Sequence, residues 1–385
     1  GAFQVGVLKA ITEILPRSSP NPFPIISGTS AGAVNAVVLA SRAAHLRSAL
    51  AELEHVWAHF RCNHVYKTDH LTMLKSSVHW LSSIVLGGWL AGTPKSLLDN
   101  APLRKLLSKN IHFSRIQQSI KNGHLEAVAV TAAGYGSACS KSFFEGAPEC
   151  GNWDRTRRRG IQSDLNLDHL MASIAVPMVF PPQRIGSEYY GDGAMRQATP
   201  LSPAVHLGAD RILVIGIRDE MGEKEPTELG PPPSFGQIAG YVLDTLFMDG
   251  LYSDLERITR INELIDSVPE QERKGAMKRV RSIDTMLVVP SEDLRDIAFR
   301  HRQELPFAIR ALLRGVGSKG PGENKLLSFL LFEKSYTREL IALGYKDAMK
   351  VKDELEAFVR GANVPRLFAP AWIKRDLSSL RTNDS

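Results

Sequence analysis

The chain has 385 residues, with 47 lysines and arginines against 41 aspartates and glutamates, a formal charge of +6. Hydrophobic residues make up 43% and charged residues 23%, which excludes a disordered or fibrous class and leaves room for one large domain or two ordinary ones. The basic excess suits an anionic partner such as a phospholipid surface, or an ordinary enzyme; without aromatics interleaved among the basic residues it does not point to nucleic acid.

Residues 1–15 place Phe3, Val7, Leu8, Ile11, Ile14 and Leu15 at helical spacing, and Pro16 ends the run. A Ser/Pro/Asn loop leads to the apolar run 23–26, a strand, and then to Gly28-Thr29-Ser30-Ala31-Gly32 and a small-residue helix through Ala40. Residues 43–60 read as a second helix. The stretch 65–91, with Trp80 and Trp89, has no apolar run long enough to span a bilayer; it fits insertion at a lipid interface or a cap over a groove. A short helix is expected at 101–107, with Pro102 in its first turn. A buried strand follows at 125–131, with a hairpin partner at 141–144.

Residues 151–160 hold Arg155, Arg157, Arg158 and Arg159 and read as a basic loop, able to hold phosphate or simply solvated. Residues 167–174 read as a helix capped by Asp164 or Asn166. The alternation at 183–190 predicts a hairpin around Gly186-Ser187, and 203–207 a short helix. The run 211–217 is the clearest buried strand, as a parallel sheet covered on both faces demands. After a polar linker at 220–233, helical spacing runs over 238–261, a late strand fits 285–289, and helices fit 326–343 and 351–358, separated near Gly344. Strands alternating with helices predict an α/β fold, a three-layer α/β/α arrangement with a mostly parallel central sheet plus C-terminal helices.

Gly28-x-Ser30-x-Gly32 between a strand and a helix is the pattern of a nucleophile elbow. Such a turn brings its backbone close to the flanking elements, where a Cβ at Gly28 or Gly32 would obstruct, and the helix N-terminus turns N–H groups toward Ser30. The same five residues also mark ordinary loops, and it is the flanking strand and helix that favour the catalytic reading. A serine hydroxyl needs a base. Asp192, between Gly191 and Gly193 after a predicted strand, is the best candidate, although an isolated Asp-Gly is usually a plain turn. His206 would complete a Ser…Asp…His order, but its helical setting before a buried strand favours a structural role. Cys62, Cys139 and Cys150 are odd in number and lack ligand spacing, so reduced thiols and a cytoplasmic localisation are expected, with a Cys139–Cys150 pair open in an oxidising compartment. The histidines show no metal spacing, and neither a metal nor a cofactor is expected.

Taken together, the elbow and Gly191-Asp192-Gly193-Ala194 resemble the Ser–Asp dyad motifs of patatin-like phospholipases. Ser173-Ile174-Ala175-Val176-Pro177-Met178-Val179-Phe180-Pro181-Pro182 resembles the family's segment before the Asp. Pro200, Ala204 and Leu207-Gly208-Ala209-Asp210 resemble the family's segment after the Asp, and 326–348 resembles the C-terminal region of bacterial members. The resemblance implies a catalytic domain over 1–220 and a mainly helical region over 221–385 packed on it, with the late strand near 285–289. It implies Ser30 as nucleophile and Asp192 as general base, supported by Gly193 and Ala194, in a phospholipase A-type lipid acyl hydrolase that works through an acyl-enzyme. The aspartate must be held close to Ser30, because its ordinary pKa of about 3.9 makes it a weak base.

The family also carries a first strand and a Gly-Gly-Gly-x-Arg-Gly oxyanion loop ahead of the first helix. Only the final glycine, Gly1, falls in this sequence, beside the elbow backbone of Gly28, Ala31 and Gly32. Each oxyanion donor removed costs about 10²–10³ in rate, so the expectation is that the sequence starts inside a longer natural chain, which leaves a targeting signal open. Ala194 stands where glycine is common, a departure of slight expected effect. The implied partners are a lipid or phospholipid substrate and a transient membrane surface, for a protein peripheral to it. A carboxylesterase or thioesterase of the same mechanism, or a non-catalytic lipid-binding protein on this fold, stay as alternatives.

Overall fold

The computed structural model describes residues 1–68, 96–217, 250–273, 280–315 and 323–362, positions 232, 234, 237, 238, 240–242, 245, 275, and 367–368. The Trp80–Trp89 stretch and nearly all of the 220–233 linker lie outside the described residues. In chain order the N-terminal half is α1 (Ala2–Ile14), β1 (Ile25–Thr29), α2 (Ala31–Ser41), α3 (Leu46–Ala58), α4 (Cys62–Val65), α5 (Ala101–Asn110), α6 (Ser114–Lys121), β2 (Ala127–Gly134), β3 (Ser140–Gly146), β4 (Trp153–Arg155), β5 (Arg158–Gln162) and α7 (Leu167–Ser173). There follow β6 (Gln183–Ile185), β7 (Glu188–Asp192), α8 (Ser202–Leu207), β8 (Arg211–Ile215), α9 (Gly250–Asp266), β9 (Asp284–Val288), α10 (Leu294–Arg300), α11 (Phe307–Gly315), α12 (Glu323–Leu330), α13 (Lys334–Lys350), α14 (Lys352–Val359) and β10 (Leu367–Phe368).

The α/β class holds, and helices flank a central mixed sheet. Its spine is β2, whose eight residues are all buried, as the run Ala-Val-Ala-Val-Thr-Ala-Ala-Gly requires of a strand covered on both faces. Along one edge β2 pairs antiparallel with β3 over nearly its whole length. The other edge is divided. β1 runs parallel to Ala127–Thr131, and β7 runs antiparallel along Ala132–Gly134. β5 lies parallel to β3, with β4 outside it, and β6 closes the far side on β7.

The strand expected at 211–217 is β8, over Arg211–Ile215. It belongs to a separate, all-parallel sheet of order β10-β9-β8, in which β9 is the late strand. Its burial alternates, so it is not covered on both faces along its length. Among the described residues, neither the edge of β8 away from β9 nor the edge of β1 away from β2 has a partner strand, and both strands line one cavity.

Other differences from the sequence reading have local causes. The basic stretch at 151–160 is a hairpin, β4 and β5, turned at Arg157 with φ 60°. The helix expected through 326–343 is broken at 331–333, and α13 runs straight through Gly344. Gly344 is therefore no helix end but a crossing point. A Cβ there would lie 2.1 Å from the Phe3 carbonyl oxygen, and one at Gly6 would lie 2.0 Å from that of Ile341. Two glycines let α1 and α13 touch backbone to backbone. Helix α6 was not expected, because its short run Ser-Arg-Ile-Gln-Gln-Ser-Ile-Lys carries only two apolar residues.

Candidate active site

The strand–turn–helix at Ser30 forms as its residues dictate. A Cβ at Gly28 would sit 2.4 Å from the Gly32 carbonyl oxygen and 2.8 Å from the Ala33 Cα, so only glycine lets α2 fold back over the end of β1. The same expectation for Gly32 does not hold. A Cβ there would meet only the Gln4 side chain, at 3.4 Å, which is ordinary contact with a group that can move. Ser30 itself has φ 55° and ψ −130°, a left-handed conformation that a non-glycine residue adopts at a cost of about 1–3 kcal/mol. At the start of α2 the N–H groups of Ala31 and Gly32 have no acceptor within the helix, while that of Ala33 donates to the Ser30 carbonyl at 2.9 Å.

Asp192 ends β7 and is fully buried. Its backbone N–H donates to the Ala175 carbonyl at 2.8 Å, and its Oδ1 accepts from the Ala194 N–H at 3.0 Å. Gly193 packs against the Thr131 carbonyl so closely that a Cβ would lie 2.2 Å from its oxygen. The carboxylate is thus held from below by the very motif that contains it. Burial pushes the Asp192 carboxyl up to about 7, although the nearby Ser30 hydroxyl and the Ala194 N–H both favour the charged form. Its Oδ2 is buried and makes no hydrogen bond among the described residues.

The sheet register brings the two together. Thr29, the residue before Ser30, pairs with Thr131, and Asp192 pairs with Ala132, the next residue along β2. Since β3 occupies the opposite edge over Ala127–Ala133, β1 and β7 share one edge and approach each other with their C-terminal ends.

Ser30, Ala31, Gly32, Gly1 and Ala194 line a cavity of about 900 Å³. Apolar side chains, among them Leu8, Val34, Val38, Leu53, Trp57 and Phe60, form much of its wall, as sites for apolar ligands require. The Gly1 carbonyl accepts from the Val5 N–H and from Asn35 Nδ2, at 3.2 and 3.1 Å. Asn35 also accepts from Trp57 Nε1 at 2.9 Å and donates to Gln4 Oε1 at 2.9 Å. Because an indole can only donate, this chain fixes the direction of both amides.

Several residues with a structural role here were not singled out from sequence: Ser173, Asn35, Gln4 and Tyr135, whose phenol is pushed up by burial and by the Asp192 charge. Ser173 and Asn35 did leave a signal, each being one polar residue inside an apolar run, and buried polar groups need partners.

His206 lines no part of this cavity. It stacks on Trp153 at 5.0 Å, which stacks in turn on Phe144 at 5.2 Å. Burial and the positive charges of Arg155, Arg158 and Arg281 hold its pKa low. The arginines are likewise engaged in the fold in part: Arg158 donates to Thr199 and Ser202, and Arg159 pairs with Asp154. All three cysteines are free thiols. Among the described residues no three His, Cys, Asp or Glu side chains gather as a metal site would need, and no helix is long and apolar enough to cross a membrane.

Comparison with known proteins bears on this geometry. The family model described as patatin-like phospholipase matches residues 1–205, a span that contains both Ser30 and Asp192. No curated protein matches the chain.

Proposed function

Because the chain belongs to the patatin-like phospholipase family, we propose that it is a lipid acyl hydrolase in which Ser30 and Asp192 act as a dyad. Asp192 takes the Ser30 proton as Oγ attacks the acyl carbonyl carbon. The proton then passes to the leaving alkoxide as the acyl–oxygen bond breaks. Water, activated by the same carboxylate, attacks the acyl-enzyme and regenerates Ser30. The N–H groups at the start of α2 face the developing oxyanion.

One observation carries this reading: the ends of β1 and β7 meet on one edge of β2, with an unpartnered carboxylate oxygen buried beside the turn of Ser30. A carboxyl poised near 7 is a far better base at neutral pH than an ordinary aspartate. The apolar cavity beside Ser30 suits an acyl chain, and the substrate class we assign is a phospholipid presented at a lipid surface. The basic excess of the chain supports that transient contact.

The test is a fluorophosphonate probe followed by a substrate panel. Ser30 should be labelled, and long-chain phospholipid in micelles should be hydrolysed by the wild type but not by Ser30→Ala. Turnover of short soluble esters alone would replace the phospholipase assignment with a carboxylesterase or thioesterase. An unlabelled Ser30 in a folded sample would leave a lipid-binding protein without catalysis.

A further inference from the structure

The last residue of α7, Ser173, is fully buried, and its hydroxyl lies between the nucleophile turn and the central strand. The Ser30 N–H donates to Ser173 Oγ at 3.0 Å, and Ser173 Oγ donates to the Thr131 carbonyl at 2.7 Å. Neither bond can be reversed, since an N–H only donates and a carbonyl only accepts, so the hydroxyl has a single orientation.

Two residues on, the same segment reaches the other half of the dyad: the Ala175 carbonyl accepts the Asp192 N–H at 2.8 Å. Two residues, Ser173 and Ala175, therefore grip the backbones of both dyad members. Ser173 takes the N–H of the residue with the unfavourable torsions, and Ala175 takes the N–H of the residue with the buried carboxyl. Thr131, which receives the Ser173 hydroxyl, is also the β2 residue opposite Thr29 and the surface on which Gly193 rests. Helix α7 is itself fixed at its start by Asn166, whose side chain accepts from the N–H groups of Asp168 and His169.

We propose that Ser173 is a positioning residue for the Ser30–Asp192 dyad, setting the separation of nucleophile and base by tying the Ser30 N–H to β2. The proposal rests on the dyad reading above. It assigns Ser173 no contact with substrate and no share in proton transfer. Without its hydroxyl the Ser30 N–H loses its acceptor, and the turn loses its tie to β2 against its torsional preference. A displacement of about 1 Å at a reacting group costs on the order of 10²-fold in rate.

The experiment compares wild type, Ser173→Ala and Ser173→Cys by melting temperature, fluorophosphonate labelling rate, kcat and KM. In folded Ser173→Ala, kcat and labelling rate should fall about 10–100-fold with KM within about twofold. Ser173→Cys, nearly isosteric and able to accept and donate weakly, should recover part of the loss. Wild-type labelling and kcat in a folded Ser173→Ala overturn the proposal. So does a loss that follows the melting temperature and disappears on cooling, or a Cys variant no better than the Ala variant despite equal stability. Should Ser173→Ala not fold, Ser173→Cys against wild type decides alone: an unchanged kcat in that variant rejects the proposal, and a reduced kcat at unchanged KM supports it. Failure of the wild type itself to label removes the dyad reading instead, so the two failures are distinct.

Discussion

Thr29 and Asp192 pair with consecutive residues of one strand edge, Thr131 and Ala132, although 163 positions of sequence separate them. The parallel strand brings the serine turn to that point from one end, and the antiparallel strand brings the aspartate from the other. Ser30 and Asp192 are brought together without a loop reaching across a groove, because the hydrogen-bond ladder of β2 sets their spacing.

Replacing Asp192 with Asn should separate activity from stability. Burial pushes the folded carboxyl up to about 7, well above the usual value of about 3.9 for the unfolded chain. The folded state therefore keeps a proton that the unfolded state releases, and this group's contribution to stability falls as pH rises from about 4 to 7. Wild-type kcat should climb through pH 7 as the base ionises. Asp192→Asn should have no measurable turnover and, above pH 7, a higher melting temperature than wild type; an equal or lower one there would contradict the burial cost.

Gly193→Ala should disable the site through backbone. The new Cβ would meet the Thr131 carbonyl, which cannot move without disturbing β2. Overpacking of this kind costs about 1–3 kcal/mol, measurable by denaturant unfolding. Activity should drop far more than the unfolded fraction explains, since the Ala194 N–H that holds Asp192 shifts with it.

How far the sequence alone foretold this site depends on the partner each residue answers to. Gly28 was legible because local chain geometry requires it, and a local requirement leaves a fixed spacing; Ser30, Asp192 and Gly193 were singled out by the motifs that contain them and by the family resemblance those motifs carry. Ser173 and Asn35 serve distant backbone and side-chain groups, and a spacing rule has no place for partners brought in by the fold. Gly344 was misread for the same reason. A glycine in a helix looks like an end, and only the approach of α1 shows that it is a contact. The division of β2 between two partners is likewise a property of pairing, on which hydrophobic pattern is silent.

Removing the imidazole of His206 should leave turnover intact. Its ring stacks on Trp153, away from the cavity at Ser30. His206→Ala should lower stability by about 0.5–1.5 kcal/mol, the worth of such an aromatic contact, with kcat and KM unchanged. A kcat loss in a folded variant would instead favour a triad.

His301 gives the fold a pH dependence through a basic group. Burial alone would lower its pKa, but Glu339 at 2.6 Å and Glu304 at 2.8 Å more than offset this and raise it. Arg300 also pairs with Glu339 and Glu292, so the charges join α10 to α13. Stability from a raised histidine is fully present below its unfolded value of about 6.5 and is lost as pH rises through the folded value. Melting temperature measured from pH 6 upward should show that decline in the wild type and a flatter course in His301→Gln.

The contact of α1 with α13 has a consequence for how the protein is made. Tyr345 hydrogen-bonds Glu13 across this contact, and the two are 332 residues apart. At translation rates of about 5–20 residues per second, α1 waits on the order of 15–70 s for α13 to be made. Throughout that wait the apolar face of α1 lacks the helix that packs on it. Synthesis interrupted before Lys334 should thus yield chains that hold both Ser30 and Asp192 yet depend on chaperones for solubility.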